Sequence, residues 1–262
     1  MMKKWRPLLW LYNLYAIAWF VVLMIPVFLF AVFVSFLGNI KGGNLIYKAC
    51  TLWADAWFAL IFIRHKNIFE QPLRTNQSYI FVANHISYID SPIIVKTFRK
   101  PLRALGKVEM TKVPVFGFIY RKAIVTVDRS SAGNRAKSVQ ILKSILRRGI
   151  SVLVFPEGTF NTTYRPLKHF YDGAFRVAIE SNAPIKPVLF LDGYNRMPYE
   201  QMFSLNPGLN RSIFLDEIST DGLTIEDVPF LKEKVFLLME RKLVEYQASW
   251  IDSKPALAKK AN

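Results

Sequence analysis

Apolar and polar positions divide the chain into two unlike regions. Residues 14–34 run without a strongly polar side chain, and no charge occurs between Arg6 and Lys41. A helix needs about 20 apolar residues to cross the hydrocarbon core of a bilayer, so this run predicts a membrane-associated helix. Pro26 lies inside it and predicts a kink, which a membrane helix tolerates better than a soluble one. A second apolar stretch, 45–63, is interrupted by Lys48 and Asp55. Those two share one face of a helix, predicting a segment that lies at the interface or packs against the first. Asn39, Gly42 and Gly43 predict the turn between the two helices.

After Pro72 the pattern changes. Short β-prone runs occur at 78–83, 123–127, 151–155, 185–191 and 212–215. Helical periodicity occupies 132–148, 173–181 and 225–249, the last preceded by Thr224 with Asp227 three positions on, a capping-box spacing. Alternation of this kind predicts an α/β fold: a central sheet, mostly parallel or mixed, flanked by helices and preceded by a membrane-associated pair of helices. The expected divisions are an anchoring helical segment over 1–66, an α/β domain over 67–252, and a basic, solvated tail over 253–262.

Charge narrows the partners. The formal net charge is +16, which favours an acidic partner, either nucleic acid or an anionic membrane surface. The basic residues are scattered and match no nucleic-acid-binding motif, so beside an apolar anchor phospholipid headgroups are the expected partner. Lys3, Lys4 and Arg6 precede the apolar pair and Arg64 and Lys66 follow it, which places both ends, and the α/β domain, on the cytoplasmic face. The single cysteine, Cys50, excludes an intrachain disulfide and reads as a packing residue.

Two stretches carry candidate chemistry. An apolar strand ends in Asn84-His85, and Asp90 follows five residues after the histidine. Ser91-Pro92 then reads as a helix start, so His85 falls in a strand-to-helix connection. Across that turn Asp90 can reach back to the imidazole, fix its tautomer and stabilise its protonated form, making His85 a general base for an alcohol. On spacing alone the pair also fits a surface histidine near a helix-capping aspartate. The second stretch, Phe155-Pro156-Glu157-Gly158-Thr159, comes after another apolar strand and forms a loop at the sheet edge; alone it is an ordinary turn. His65 and His169 lack ligand-like neighbours and read as packing or surface residues. No metal site is expected.

Taken in order, these stretches resemble the glycerolipid acyltransferase family. Asn84, His85 and Asp90 match its first motif, Asn-His-x-x-x-x-Asp, and Phe155 to Thr159 match its third. Lys107-Val108-Glu109, Pro114, Gly117 and Val127-Asp128-Arg129 resemble the second. Gly173-Ala174-Phe175 resembles the helix after the third motif, and Pro184-Ile185-Lys186-Pro187-Val188 the fourth motif. The resemblance implies an acyltransferase in which His85 and Asp90 are catalytic. Asn84, Glu157, Gly158 and Thr159 would position the acceptor, with Lys107 and Arg129 for its phosphate. It further implies acyl-CoA or acyl-carrier protein as donor, a lysolipid such as lysophosphatidic acid as acceptor, and no bound cofactor. The chain departs from the pattern at Phe160, where the family usually has Arg, at Tyr171-Asp172, which lack a common Lys, and at Ala123, where a second glycine is expected. Arg165 and Lys168, just beyond the altered loop, are candidate replacements for the missing cation. Another lysolipid acceptor without an exposed phosphate is the alternative. A serine hydrolase would need a Gly-x-Ser-x-Gly string, which is absent. A non-catalytic lipid-binding module would not explain the ordered loops.

Overall fold

The structure, a computed structural model, describes residues 6–127, 132–201 and 204–251. Two apolar helices open it, α1 (Arg6–Val34) and α2 (Gly38–Leu60). The chain reverses in a short 3-10 turn, Ser35–Leu37, where Gly38 takes φ 77°. The turn predicted at Asn39, Gly42 and Gly43 is therefore misplaced, because all three lie inside α2. The two glycines serve packing instead. A Cβ on Gly43 would stand 2.6 Å from both the Arg103 Nη2 and the Lys122 carbonyl oxygen, and one on Gly42 2.5 Å from the Val34 carbonyl oxygen.

Seven strands come next: β1 (Ile63–Phe69), β2 (Ile80–Ala83), β3 (Arg103–Lys107), β4 (Ile124–Val127), β5 (Val152–Val154), β6 (Ile185–Phe190) and β7 (Gly208–Phe214). They form one mixed sheet in the order β1-β7-β6-β2-β5-β3-β4. Strands β2 to β6 run parallel, while β7 is antiparallel to β6 and β1 parallel to β7. The fold is α/β, as the pattern predicts. Five strands were legible as apolar runs, but β1 and β3 were not. β1 alternates inward Ile63, His65 and Asn67 with exposed Arg64 and Lys66, so its charges masked it. The boundary expected at residue 66 consequently falls inside β1. β3 is short, begins and ends on charges, and carries Gly106, where the Tyr120 hydroxyl occupies the place of a Cβ.

Helices α3 (Asp90–Thr97), α4 (Phe116–Ala123), α5 (Ala132–Arg147), α6 (Gly173–Glu180), α7 (Gly193–Arg196) and α8 (Val228–Glu245) complete the fold. The last begins after the Thr224/Asp227 capping box, in which the Asp227 carboxylate accepts from the Thr224 N–H at 2.7 Å. One face of the sheet is covered by α5, α6 and α8 around Phe175, Leu231, Met239 and Trp250. The other carries α1 to α4 around Trp57, Phe58, Phe81 and Phe190.

The apolar pair is thus a wall of the core as well as a surface. Trp57 Nε1 donates to the Ala16 carbonyl at 2.9 Å, Tyr47 Oη to the Phe98 carbonyl at 2.8 Å, and Asp55 pairs with Lys96 and Arg99. The outward side of α1 remains apolar: Trp10, Leu29 and Phe33 are exposed, and Phe36 in the turn is 87% exposed. His65 is a half-buried packing residue. Its Nδ1 accepts from Asn210 Nδ2 at 2.8 Å, its Nε2–H donates to Asn67 Oδ1 at 2.9 Å, and burial lowers its pKa to about 4.

Candidate active site

The carboxyl ends of the parallel strands gather the predicted chemistry at one edge, the usual place for ligands in open α/β sheets. β2 delivers Asn84 and His85, β5 delivers the loop from Phe155 to Thr159, and β3 ends on Lys107. Asp90 begins α3, five residues past the histidine, and the turn between them closes on its carboxylate. Asp90 Oδ2 accepts from the backbone N–H groups of Ile86 at 2.9 Å and Ser87 at 3.0 Å, and from His85 Nδ1 at 2.8 Å. With Nδ1 carrying the proton, Nε2 holds the free lone pair. The Asp90 side chain is 0% exposed and that of His85 23%, so the carboxylate is sealed while the base is reachable. Gly193 of α7 permits this closure, since a Cβ there would stand 2.9 Å from Asp90 Oδ1. Ser87 is structural; its hydroxyl donates to the Met197 carbonyl.

Glu157 binds the two loops together. Its Oε1 accepts from the His85 N–H at 3.0 Å and its Oε2 from the Lys168 N–H at 2.9 Å. Burial pushes its carboxyl up to about 7, against the lowering effect of those two bonds. Gly158, at φ 75°, turns the loop back, and the Asn161 N–H donates to the His85 carbonyl at 2.8 Å. Asn84 is buried and fully engaged: its Nδ2 donates to the Phe190 carbonyl and its Oδ1 accepts from the Phe190 N–H, both at 2.9 Å. Both side chains hold the scaffold of the site, whereas the resemblance had implied direct positioning of an acceptor.

The cations are arranged unequally. Thr159 is exposed, and Lys168 Nζ donates to its hydroxyl at 3.0 Å, which puts one positive charge on the loop that flanks His85. Lys107 is exposed at the end of β3, two strand positions from β2, or roughly 10 Å along the sheet. Arg129 lies outside the described residues.

Sequence reasoning missed the aromatic setting of the base. Phe155 stacks on the His85 ring at 4.2 Å between centroids, and Phe160 meets it edge-on at 4.4 Å. Tyr88 packs on Phe160 at 4.7 Å. The signal was present at Phe160, the departure from the family pattern, but its contact with the histidine was not.

A buried carboxylate holding a reachable imidazole in one tautomer is an arrangement able to take a proton from a hydroxyl. Comparison with known proteins agrees. A family model described as Acyltransferase matches residues 64–191. An uncharacterised acyltransferase of Schizosaccharomyces pombe is 31% identical over 204 residues, 74% of this chain and 72% of that one. The 1-acyl-sn-glycerol-3-phosphate acyltransferase of Salmonella typhimurium is 30% identical over 63% of this chain and 67% of its own length. The corresponding alpha enzyme of Mus musculus is 30% identical, but the match spans only 56% of it. In fold, the 1-acyl-sn-glycerophosphate (LPA) acyltransferase of Thermotoga maritima superposes with TM-score 0.75 over 95% of this chain and 99% of that one, at 23% identity. The chain belongs to the glycerolipid acyltransferase family, and it is an acyltransferase.

Proposed function

We propose that the protein transfers a fatty acyl chain from an acyl thioester, acyl-CoA or acyl-carrier protein, to the free hydroxyl of lysophosphatidic acid, at the cytoplasmic face of a membrane. The observation that carries the reading is the His85–Asp90 pair. The acceptor hydroxyl gives its proton to His85 Nε2 as its oxygen bonds to the thioester carbonyl carbon. Collapse of the tetrahedral intermediate breaks the C–S bond, and the imidazolium returns the proton to the departing thiolate. The products are an ester and a free thiol, and written this way the step uses no bound cofactor. Asp90, sealed from water, holds the tautomer and offsets the charge that forms on His85. The names of the relatives support the acceptor. The apolar outward face of α1 supports the membrane, since a patch of that extent on a soluble monomer is uncommon.

Lys168, whose Nζ donates to the Thr159 hydroxyl, supplies a cation for the phosphate in this reading, beside the Lys107 and Arg129 that the resemblance implied. Phe160 favours a second reading, another lysolipid acceptor, because it sets a ring where the family usually carries a charge. The deciding assay uses purified full-length protein, radiolabelled acyl-CoA and acyl-carrier protein, and a panel of lysolipids. Transfer to lysophosphatidic acid above neutral lysolipids supports the first reading. Preference for a phosphate-free acceptor selects the second, and no transfer to any lysolipid refutes both.

A further inference from the structure

Beyond the catalytic pair, the loop after Phe160 and helix α7 build a second feature. Tyr164, Tyr194 and Tyr199 form a near-equilateral trio, with ring centroids 6.2, 6.4 and 5.8 Å apart and interplanar angles of 88°, 44° and 49°. All three are half-buried, and Glu200 lies exposed at their rim. Its Oε1 accepts from Tyr164 Oη at 2.6 Å and from Tyr194 Oη at 3.1 Å. The carboxylate ties the Tyr164 and Tyr194 hydroxyls together and sets a negative charge at the edge of the trio. Faces of π density meeting from several directions beside a fixed anion are the recognition chemistry of an alkylammonium group.

The feature is preorganised. Tyr164 sits at φ 57°, a conformation that a bulky side chain adopts only when its surroundings impose it. Those surroundings are visible on both sides of it. Asn161 Oδ1 accepts from Thr163 N–H and Oγ–H, while Asn161 Nδ2 and Trp250 Nε1 both donate to the Arg165 carbonyl. The position also favours a lipid. Tyr194 follows Gly193, which abuts Asp90, and beyond Glu200 the chain returns to α1, where Leu205 N–H donates to Asn13 Oδ1 at 2.6 Å. The helix that carries Tyr194 therefore abuts Asp90 through Gly193.

We propose that Tyr164, Tyr194, Tyr199 and Glu200 form a site for the alkylammonium group of a phospholipid headgroup beside the catalytic histidine. The site rests on the membrane placement proposed above, and not on the identity of the acceptor. Headgroups that end in a hydroxyl, such as glycerol, lack the cation it selects.

The test is a titration of full-length protein in non-ionic detergent, without acyl donor, so that it stands apart from acyl transfer. The probes are tetramethylammonium and its neutral isostere 3,3-dimethylbutan-1-ol, monitored by saturation-transfer NMR. Tetramethylammonium should bind about 10-fold more tightly than the neutral probe. Tyr199→Leu should weaken it about 10-fold, Tyr199→Phe should preserve it, and Glu200→Gln should weaken it severalfold. Equal binding of the two probes by the unmutated protein overturns the proposal, and that comparison needs no variant to fold. Unchanged binding in a folded Tyr199→Leu protein also overturns it. A second arm locates the headgroup. A higher KM for lysophosphatidylcholine in Tyr199→Leu assigns it to the acceptor, whereas lost stimulation by phosphatidylcholine over phosphatidylglycerol bilayers, at fixed acceptor, assigns it to the surrounding lipid.

Discussion

Replacing Glu157 by Gln gives a prediction whose sign depends on pH. In the wild type both carboxyl oxygens face backbone donors, His85 N–H at 3.0 Å and Lys168 N–H at 2.9 Å. Glutamine offers one oxygen, so one buried N–H must confront an NH2 group, at a cost of about 1–3 kcal/mol. Burial works in the other direction once the glutamate is charged. Raising its pKa from 4.5 to about 7 makes the charged form about 3 kcal/mol less favourable in the fold than in the unfolded chain. Between those values the folded state binds more protons than the unfolded one, so the group's contribution is complete below about 4.5 and lost as pH rises through about 7. The glutamine variant has no such dependence. Wild type should therefore exceed Glu157→Gln in stability by about 1–3 kcal/mol near pH 5, and the gap should close or invert by pH 8. At about 2–4 °C per kcal/mol, the swing amounts to about 6–12 °C in relative Tm. Thermal unfolding of both proteins in the same detergent at pH 5, 6, 7 and 8 measures it. A gap that widens with pH would refute the reasoning, since the two N–H bonds and Lys168 would then outweigh burial.

Four further outcomes are expected. His85→Ala should lower kcat by about 10²–10⁴-fold with membrane binding intact, and Asp90→Asn should also be severely impaired; near-normal turnover in the purified His85 variant would rule out the base. Phe160→Arg restores the family's usual cation and should raise kcat/KM for lysophosphatidic acid relative to a neutral lysolipid by about 10-fold or more, the worth of one charged hydrogen bond; an unchanged ratio on the acceptor panel counts against it. Gly43→Val drives a side chain against the Arg103 guanidinium and the Lys122 carbonyl, and should cost about 1–3 kcal/mol, read as a lower Tm with kcat retained in the folded fraction. Membranes washed in 1 M salt, where the Debye length is about 3 Å, should keep the protein bound; full release would mean that charge alone holds it.

The contact of His85 with Asp90 was legible from the ordered set of motifs rather than from spacing, which alone also fits a surface histidine near a helix-capping aspartate. Strands β2, β5 and β6 were legible because burial on both faces demands continuous apolar runs, as in Val152, Leu153 and Val154. β1 escaped because an edge strand needs only alternate inward positions, and two of its inward residues, His65 and Asn67, are polar partners of Asn210 and Thr97. Gly42 and Gly43 read as a turn because glycine signals both conformational freedom and close approach, and only the neighbouring Val34, Arg103 and Lys122 decide between them. Asn84 and Glu157 matched a motif, but a motif does not say whether a side chain faces a substrate or its own backbone. The tyrosine trio joins residues 164, 194 and 199 through tertiary packing, which no local pattern announces.

The helix pair α1–α2 also bears on how such an enzyme can be controlled. Proteins tethered by a detachable tail can be cut loose and go on working in solution. Here Ala16, Met24, Val27 and Trp57 share a core with Phe81, Leu153 and Phe190 of the sheet. Severing the pair would strip one side of the sheet on which His85 is mounted. Protease clipping near residue 60 should therefore end the protein's working life rather than release a smaller working form.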